Sequence, residues 1–217
     1  MKDGIIFVAG IYGVGKSTLC ERLGLSIGIP CYSAGDLISA LNGETYGRNK
    51  TVVNKEKNQD ILVAAVNDRL QKDTAFILAG HFCIFNKSFN VARLPESVFS
   101  LMPIAKVVLL ESDVTKVCEN LRYRDSRCYP LDALKSLKQS EKMQCEKITK
   151  QLGLPLYIHQ MLFDDSDVQQ VREYILGVSK CERYSIRMSL YIEKILKRQA
   201  LLSGNYSTGS TNCTMKS

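Results

Sequence analysis

Nine residues constrain this chain more than any others: GIYGVGKST, residues 10–18. They satisfy the spacing G-x-x-x-x-G-K-S/T and overlap the end of residues 4–11, a continuous apolar, β-branched run. Such a run is typical of a strand buried on both faces of a parallel sheet. Leu19, Leu23 and Ile27 then repeat at helical spacing, which predicts a helix over Lys16–Ile27. A strand that turns through glycines into a helix gathers backbone amides and a helix N-terminus at one point, an arrangement suited to phosphate oxygens. Gly10, Gly13 and Gly15 let the backbone curl with its N–H groups inward. Lys16 carries a compact charge to the outer phosphates, and the Ser17 hydroxyl can ligate magnesium. The expected nucleotide-binding set is Gly10, Tyr12, Gly13, Val14, Gly15, Lys16, Ser17 and Thr18, with Ser17 as metal ligand and ATP with Mg2+ as the bound species.

The rest of the chain alternates short apolar runs with helical patterns. Strands are expected at 30–33, Ala75–Ala79, 106–110 and 156–159, and helices at 36–41, 59–70, 114–124, Leu131–Leu152 and 167–176. This alternation means an α/β fold, a five-stranded parallel sheet flanked by helices on both faces. The polar segment 42–57 reads as a mobile loop. At 217 residues, 45% apolar and 24% charged, the chain has the length and composition of one soluble core. No apolar run approaches the roughly 20 residues that span a bilayer, and no leader pattern opens the chain, so the expected compartment is the cytoplasm.

Residues 1–177 are expected to form the nucleotide-binding domain and 178–217 an extension. The net charge is +7, and residues 178–217 hold seven Lys/Arg against two Glu. The basic character is therefore mostly a property of the tail, which argues against a nucleic-acid surface on the core. Within the extension, 183–202 reads as a basic helix suited to a protein partner, and the Ser/Thr/Gly/Asn-rich end as disordered. Eight cysteines are scattered without a C-x-x-C pair, which speaks against a zinc site or a disulfide framework.

Beyond the glycine-rich loop, several stretches carry a family resemblance. YSAGDL at 32–37 resembles the Ser-Gly-Asp segment that opens the acceptor helix of adenylate-kinase-like nucleoside monophosphate kinases. FILAGHF at 76–82 lies where those enzymes have a strand ending in Asp, and His81 matches the histidine of their archaeal-type branch. Residues 94–113 resemble that branch through its fourth strand, and LRYRDSR at 121–127 resembles its short, arginine-bearing lid. The resemblance spans about residues 4–177 and implies direct transfer of the γ-phosphoryl group from ATP to a second bound nucleotide. It implies charge neutralisation by Arg122, Arg124 and Arg127, alongside Lys16. For the acceptor it points to Ser33, Asp36 and His81, and Gln59, at the start of a helix, is expected to join them by reading a base.

The departures from that pattern are specific. The aspartate expected before Gly80 is Ala79, which cannot order metal-bound water. Asp36 is the favoured replacement, with Glu111 and Asp113 as further candidates. The acceptor helix lacks the family's arginine, as does GHFCIFNK at 80–87; Arg48, Lys50 and Lys55 are possible substitutes. Glu141 falls in register with Leu134, Leu137, Cys145 and Ile148, where a carboxylate is expected to mark the solvated edge of the helix. The favoured reading is a kinase for a nucleoside monophosphate or related small acceptor. The alternative is a non-catalytic ATP-binding module that signals nucleotide occupancy to a partner protein.

Overall fold

The computed structural model describes residues 4–42, 55–86, 88–125 and 129–177. Five strands form one wholly parallel sheet: β1 (Gly4–Ala9), β2 (Cys31–Ser33), β3 (Ala75–Ala79), β6 (Ile104–Glu111) and β7 (Leu156–Gln160). Their order is β2-β3-β1-β6-β7. The chain leaves β1 for one side of the sheet and later returns to build the other. The C-terminal end of β1 is thus the point where the winding reverses, and open α/β sheets place their ligands in that crevice.

Alternation along the central strands builds two apolar layers. Ile6 and Val8 of β1, Ile77 of β3, and Val108 and Leu110 of β6 face α1 (Lys16–Ile27), α5 (Val114–Asp125) and α7 (Asp165–Leu176). Ile5, Phe7 and Ala9, with Phe76, Leu78, Val107 and Leu109, face α2 (Ala34–Asn42), α3 (Lys55–Leu70) and α4 (Glu96–Ser100). The 22-residue α6 (Leu131–Leu152) serves both layers, giving Leu134 and Leu137 to the first and Cys145 and Ile148 to the second.

The five-stranded parallel sheet with helices on both faces is the fold expected from the sequence. A small antiparallel hairpin, β4 (Cys83–Phe85) with β5 (Val91–Arg93), and helix α4 are additions to that expectation. Strand β1 stops at Ala9 rather than Ile11. It stops because Gly10 has φ 148°, a conformation closed to other residues, and this turns the chain out of the sheet. Of the expected loop 42–57, Asn42 ends α2 and residues 55–57 begin α3; residues 43–54, with Arg48 and Lys50, lie outside the described residues, as does the extension 178–217. Among the described residues no helix is long and apolar enough to cross a membrane.

Candidate functional site

The loop between β1 and α1 is shaped by close approach. A Cβ on Gly10 would sit 2.7 Å from the Leu110 carbonyl oxygen and 2.9 Å from Val14 Cγ1. Gly13, with φ 76°, has no more room: a Cβ there would lie 2.7 Å from Leu121 Cγ. Val14 is fully buried and anchors the loop from behind. The Lys16 ammonium donates to the carbonyl oxygens of Gly10 (2.7 Å) and Ile11 (2.9 Å), bracing the loop across its mouth. From α5, Asn120 Nδ2 donates to the Gly13 carbonyl at 2.9 Å.

The loop opens on a cavity of about 540 Å³, within the range of small-ligand sites. Tyr12, Gly13, Gly15, Lys16, Ser17 and Thr18 line it. Gly10 and Val14, also expected in the nucleotide set, lie buried behind the loop rather than on the cavity wall. All four expected acceptor residues, Ser33, Asp36, Gln59 and His81, line the same cavity. The His81 ring lies 4.5 Å from that of Tyr12, whose phenol is pushed far up by burial. Beyond them the wall is apolar: Ile38, Leu62, Leu94, Val98, Phe99 and Met102.

Of the three arginines expected in a lid, Arg122 and Arg124 are among the described residues, and of these two Arg124 reaches the cavity. Arg124 lines the cavity, but its guanidinium is paired with Asp125, which raises its pKa further. Arg122 is exposed and absent from the cavity wall, because α5 turns it outward while Leu121 points into the core. Arg127 lies outside the described residues. Of the substitute acids, only Asp36 reaches the cavity. Glu111 is paired with Lys142 on α6, and Asp113 caps α5 through the Thr115 amide.

Two features of the site were missed in the sequence. The turn between β7 and α7 supplies Met161, Phe163 and Asp164 to the cavity wall beside Gly15. Asp167 holds that turn by accepting from the amides of Leu162 (2.9 Å), Phe163 (2.7 Å) and Asp164 (3.2 Å). Its Oδ1 also meets His159 Nε2 at 2.8 Å.

The second feature is Glu141, which is no solvated edge. It is 1% exposed. Its carboxylate accepts from Gly10 N (3.2 Å), Phe82 N (3.0 Å) and Cys83 N (2.5 Å). Burial pushes its pKa up to about 7, against the pull of those amides and of the Lys16 charge. The helix brings it inward because Leu134, Leu137, Cys145 and Ile148 on the same stripe are all buried. A charge inside an apolar stripe was the available signal.

A family model described as AAA domain matches residues 9–138, more than half of the chain. The chain belongs to that family. Among solved structures, this AAA-domain protein resembles a shikimate kinase from Acinetobacter baumannii in complex with shikimate. Identity there is 14% over 81% of this chain and 92% of the other, with a TM-score of 0.54. A shikimate kinase from Aquifex aeolicus aligns at 17% identity over 80% and 96% of the two chains, TM-score 0.53. One from Bacteroides thetaiotaomicron aligns at 15% over 81% and 97%, TM-score 0.53. At these identities the likeness is one of fold. No curated protein matches the sequence.

Proposed function

We propose that the protein is an ATP-dependent phosphotransferase that passes the γ-phosphoryl group to a small acceptor, a nucleoside monophosphate or a related compound. One observation carries the reading: the phosphate-binding loop and the expected acceptor residues open on a single continuous cavity. The fold is shared with kinases of a small hydroxy acid, which agrees with this reading without naming the acceptor.

The donor triphosphate lies along the amides of residues 13–18, with Lys16 leaving the Gly10 and Ile11 carbonyls for the phosphate oxygens. An acceptor oxygen attacks the γ-phosphorus, the bond to the β-phosphate oxygen breaks, and the nucleoside diphosphate leaves with its electron pair. A hydroxyl acceptor gives up its proton to Asp36; a phosphate acceptor already carries its anion. Arg124, released from Asp125, supplies charge in cis. The residues fit a magnesium ion: Ser17 would hold it, and Asp36, on the wall of the same cavity, would order its water. Among the described residues no group of three or more His, Cys, Asp or Glu gathers to hold a metal, so such an ion would rely on the triphosphate's own oxygens to complete its shell. When bound, magnesium neutralises charge on the phosphates. We place this activity in the cytoplasm.

A second reading is favoured by Ala79: a non-catalytic module that reports ATP occupancy to a partner through the extension 178–217. The experiment that separates the two uses ATP·Mg labelled on the γ-phosphate and a panel of nucleoside monophosphates, nucleosides and small hydroxy acids. Label transferred to any panel member is the expected result. ATP bound tightly with no label transferred would contradict the kinase and favour the module.

A further inference from the structure

We propose that Glu141 is a positioning residue whose carboxylate locks the phosphate-binding loop and the loop after β3 into one unit, so that the donor and acceptor ends of the cavity are set together. The inference rests on the triphosphate-site reading above and assigns it a residue in α6, behind the cavity.

The connections are short on both sides. Gly10 gives its N–H to Glu141 and its carbonyl to the Lys16 ammonium, so one residue joins the carboxylate to the phosphate-binding lysine. On the other side, Glu141 takes the amides of Phe82 and Cys83. These are flanked by His81 and Ile84, which line the cavity. Three backbone donors converge on one buried side chain contributed by neither loop.

The arrangement demands an anion. A carboxylate offers about four lone-pair positions, enough for three amides, whereas a protonated carboxyl turns its own O–H toward one of those donors. The groups that face Glu141 are Lys16 and Tyr12 from the loop, Cys83 from β4 and Cys145 on α6. Glu111, Lys138 and Lys142 line a small hollow beside it. Lys16 favours the anion, burial opposes it, and the balance leaves the group titrating near neutrality.

The test uses the full chain and a fluorescent ATP analogue with Mg2+, titrated from pH 5.5 to 8.5 against the wild type, Glu141→Gln and Glu141→Asp. Comparing proteins with the same ligand removes the phosphate's own titration. In Glu141→Gln affinity should fall about ten-fold at pH 8, the worth of one charge-assisted hydrogen bond, and the curves should converge by pH 6. Glu141→Asp should keep a pH-dependent rise, with its midpoint moved to lower pH. Curves offset equally at every pH, or coincident, would reduce Glu141 to a structural role and overturn the proposal. If Glu141→Gln does not fold, an unshifted midpoint in Glu141→Asp overturns it.

No analogue bound by the wild type at any pH would instead defeat the triphosphate-site reading. Amide exchange in the ligand-free protein then decides the positioning role. Joint loss of protection at Gly10, Phe82 and Cys83 in Glu141→Gln upholds it, and loss at none of them overturns it.

Discussion

The two ends of the cavity are built in opposite ways. The donor end is backbone: six consecutive residues, 10–15, curl between β1 and α1, and side chains brace the curl from outside, Val14 and Lys16 locally, Asn120 and Glu141 from afar. The acceptor end is side chains, drawn from β2 and α2, α3, the loop after β3, β4 and α4. Backbone geometry is written in a contiguous motif and varies little with what is bound. Side chains from dispersed elements can be exchanged one at a time, which is how one fold serves different acceptors.

Glu141 ties the two loops together through their backbone amides, so damage to an acceptor side chain that leaves this clasp intact should spare the donor end. The largest effect is expected from Phe99→Ala. Phe99 is 2% exposed and stacks on Phe82 at 4.6 Å, so truncation should cost about 3–5 kcal/mol in chemical denaturation. Nucleotide affinity should remain unchanged where the variant is folded. A collapse of affinity would mean that acceptor side chains shape the donor end even with the Glu141 clasp in place.

Next is the pH dependence of stability. Because Glu141 titrates at about 7 in the folded state against 4.5 ordinarily, the folded state holds its proton more tightly than the unfolded chain. Its contribution is therefore full below pH 4.5 and is lost as pH rises through about 7. The melting temperature of the wild type minus that of Glu141→Gln should fall between pH 5 and pH 8, the opposite direction to nucleotide affinity. A flat difference would show that Glu141 does not titrate there.

Asp36→Ala should slow label transfer about 100-fold or more, in the range of a lost acid–base group, with nucleotide affinity kept. Wild-type rates would remove Asp36 from the chemistry. The smallest effect belongs to Asn120→Ala, which deletes one hydrogen bond to the Gly13 carbonyl and should weaken nucleotide binding by about 1 kcal/mol. Calorimetric titration would read it, and no change would mean that the loop needs no brace from α5.

Most of the layered fold was legible, because β1 and β3 are unbroken apolar runs, β6 carries one at 107–110, and the helices between them keep a 3.6-residue period. The β4–β5 hairpin was not, since three-residue strands carry no measurable alternation and FCIF reads as a continuation of β3. The glycine-rich turn between β1 and α1 was legible from its motif, and Ser33, Asp36, Gln59 and His81, named for the acceptor chiefly through the resemblance, line the same cavity. Glu141 was visible as a charge in an apolar stripe, yet its partners lie 58, 59 and 131 residues away. No local pattern distinguishes a helix edge from a buried carboxylate whose donors come from distant loops. Arg122 lies off the cavity wall for a related reason: helical spacing sets which residues share a face, and packing decides which face meets the cavity.

The account depends most directly on the donor end being a triphosphate site. The decisive measurement is calorimetric titration of ATP·Mg into the wild type and into Lys16→Ala, with the fold of each checked by thermal unfolding. Saturable binding at one site in the wild type, weakened at least about 100-fold (~2.7 kcal/mol) in a Lys16→Ala protein that still folds, is the predicted result. No binding to the wild type, or equal binding to both proteins, would contradict it.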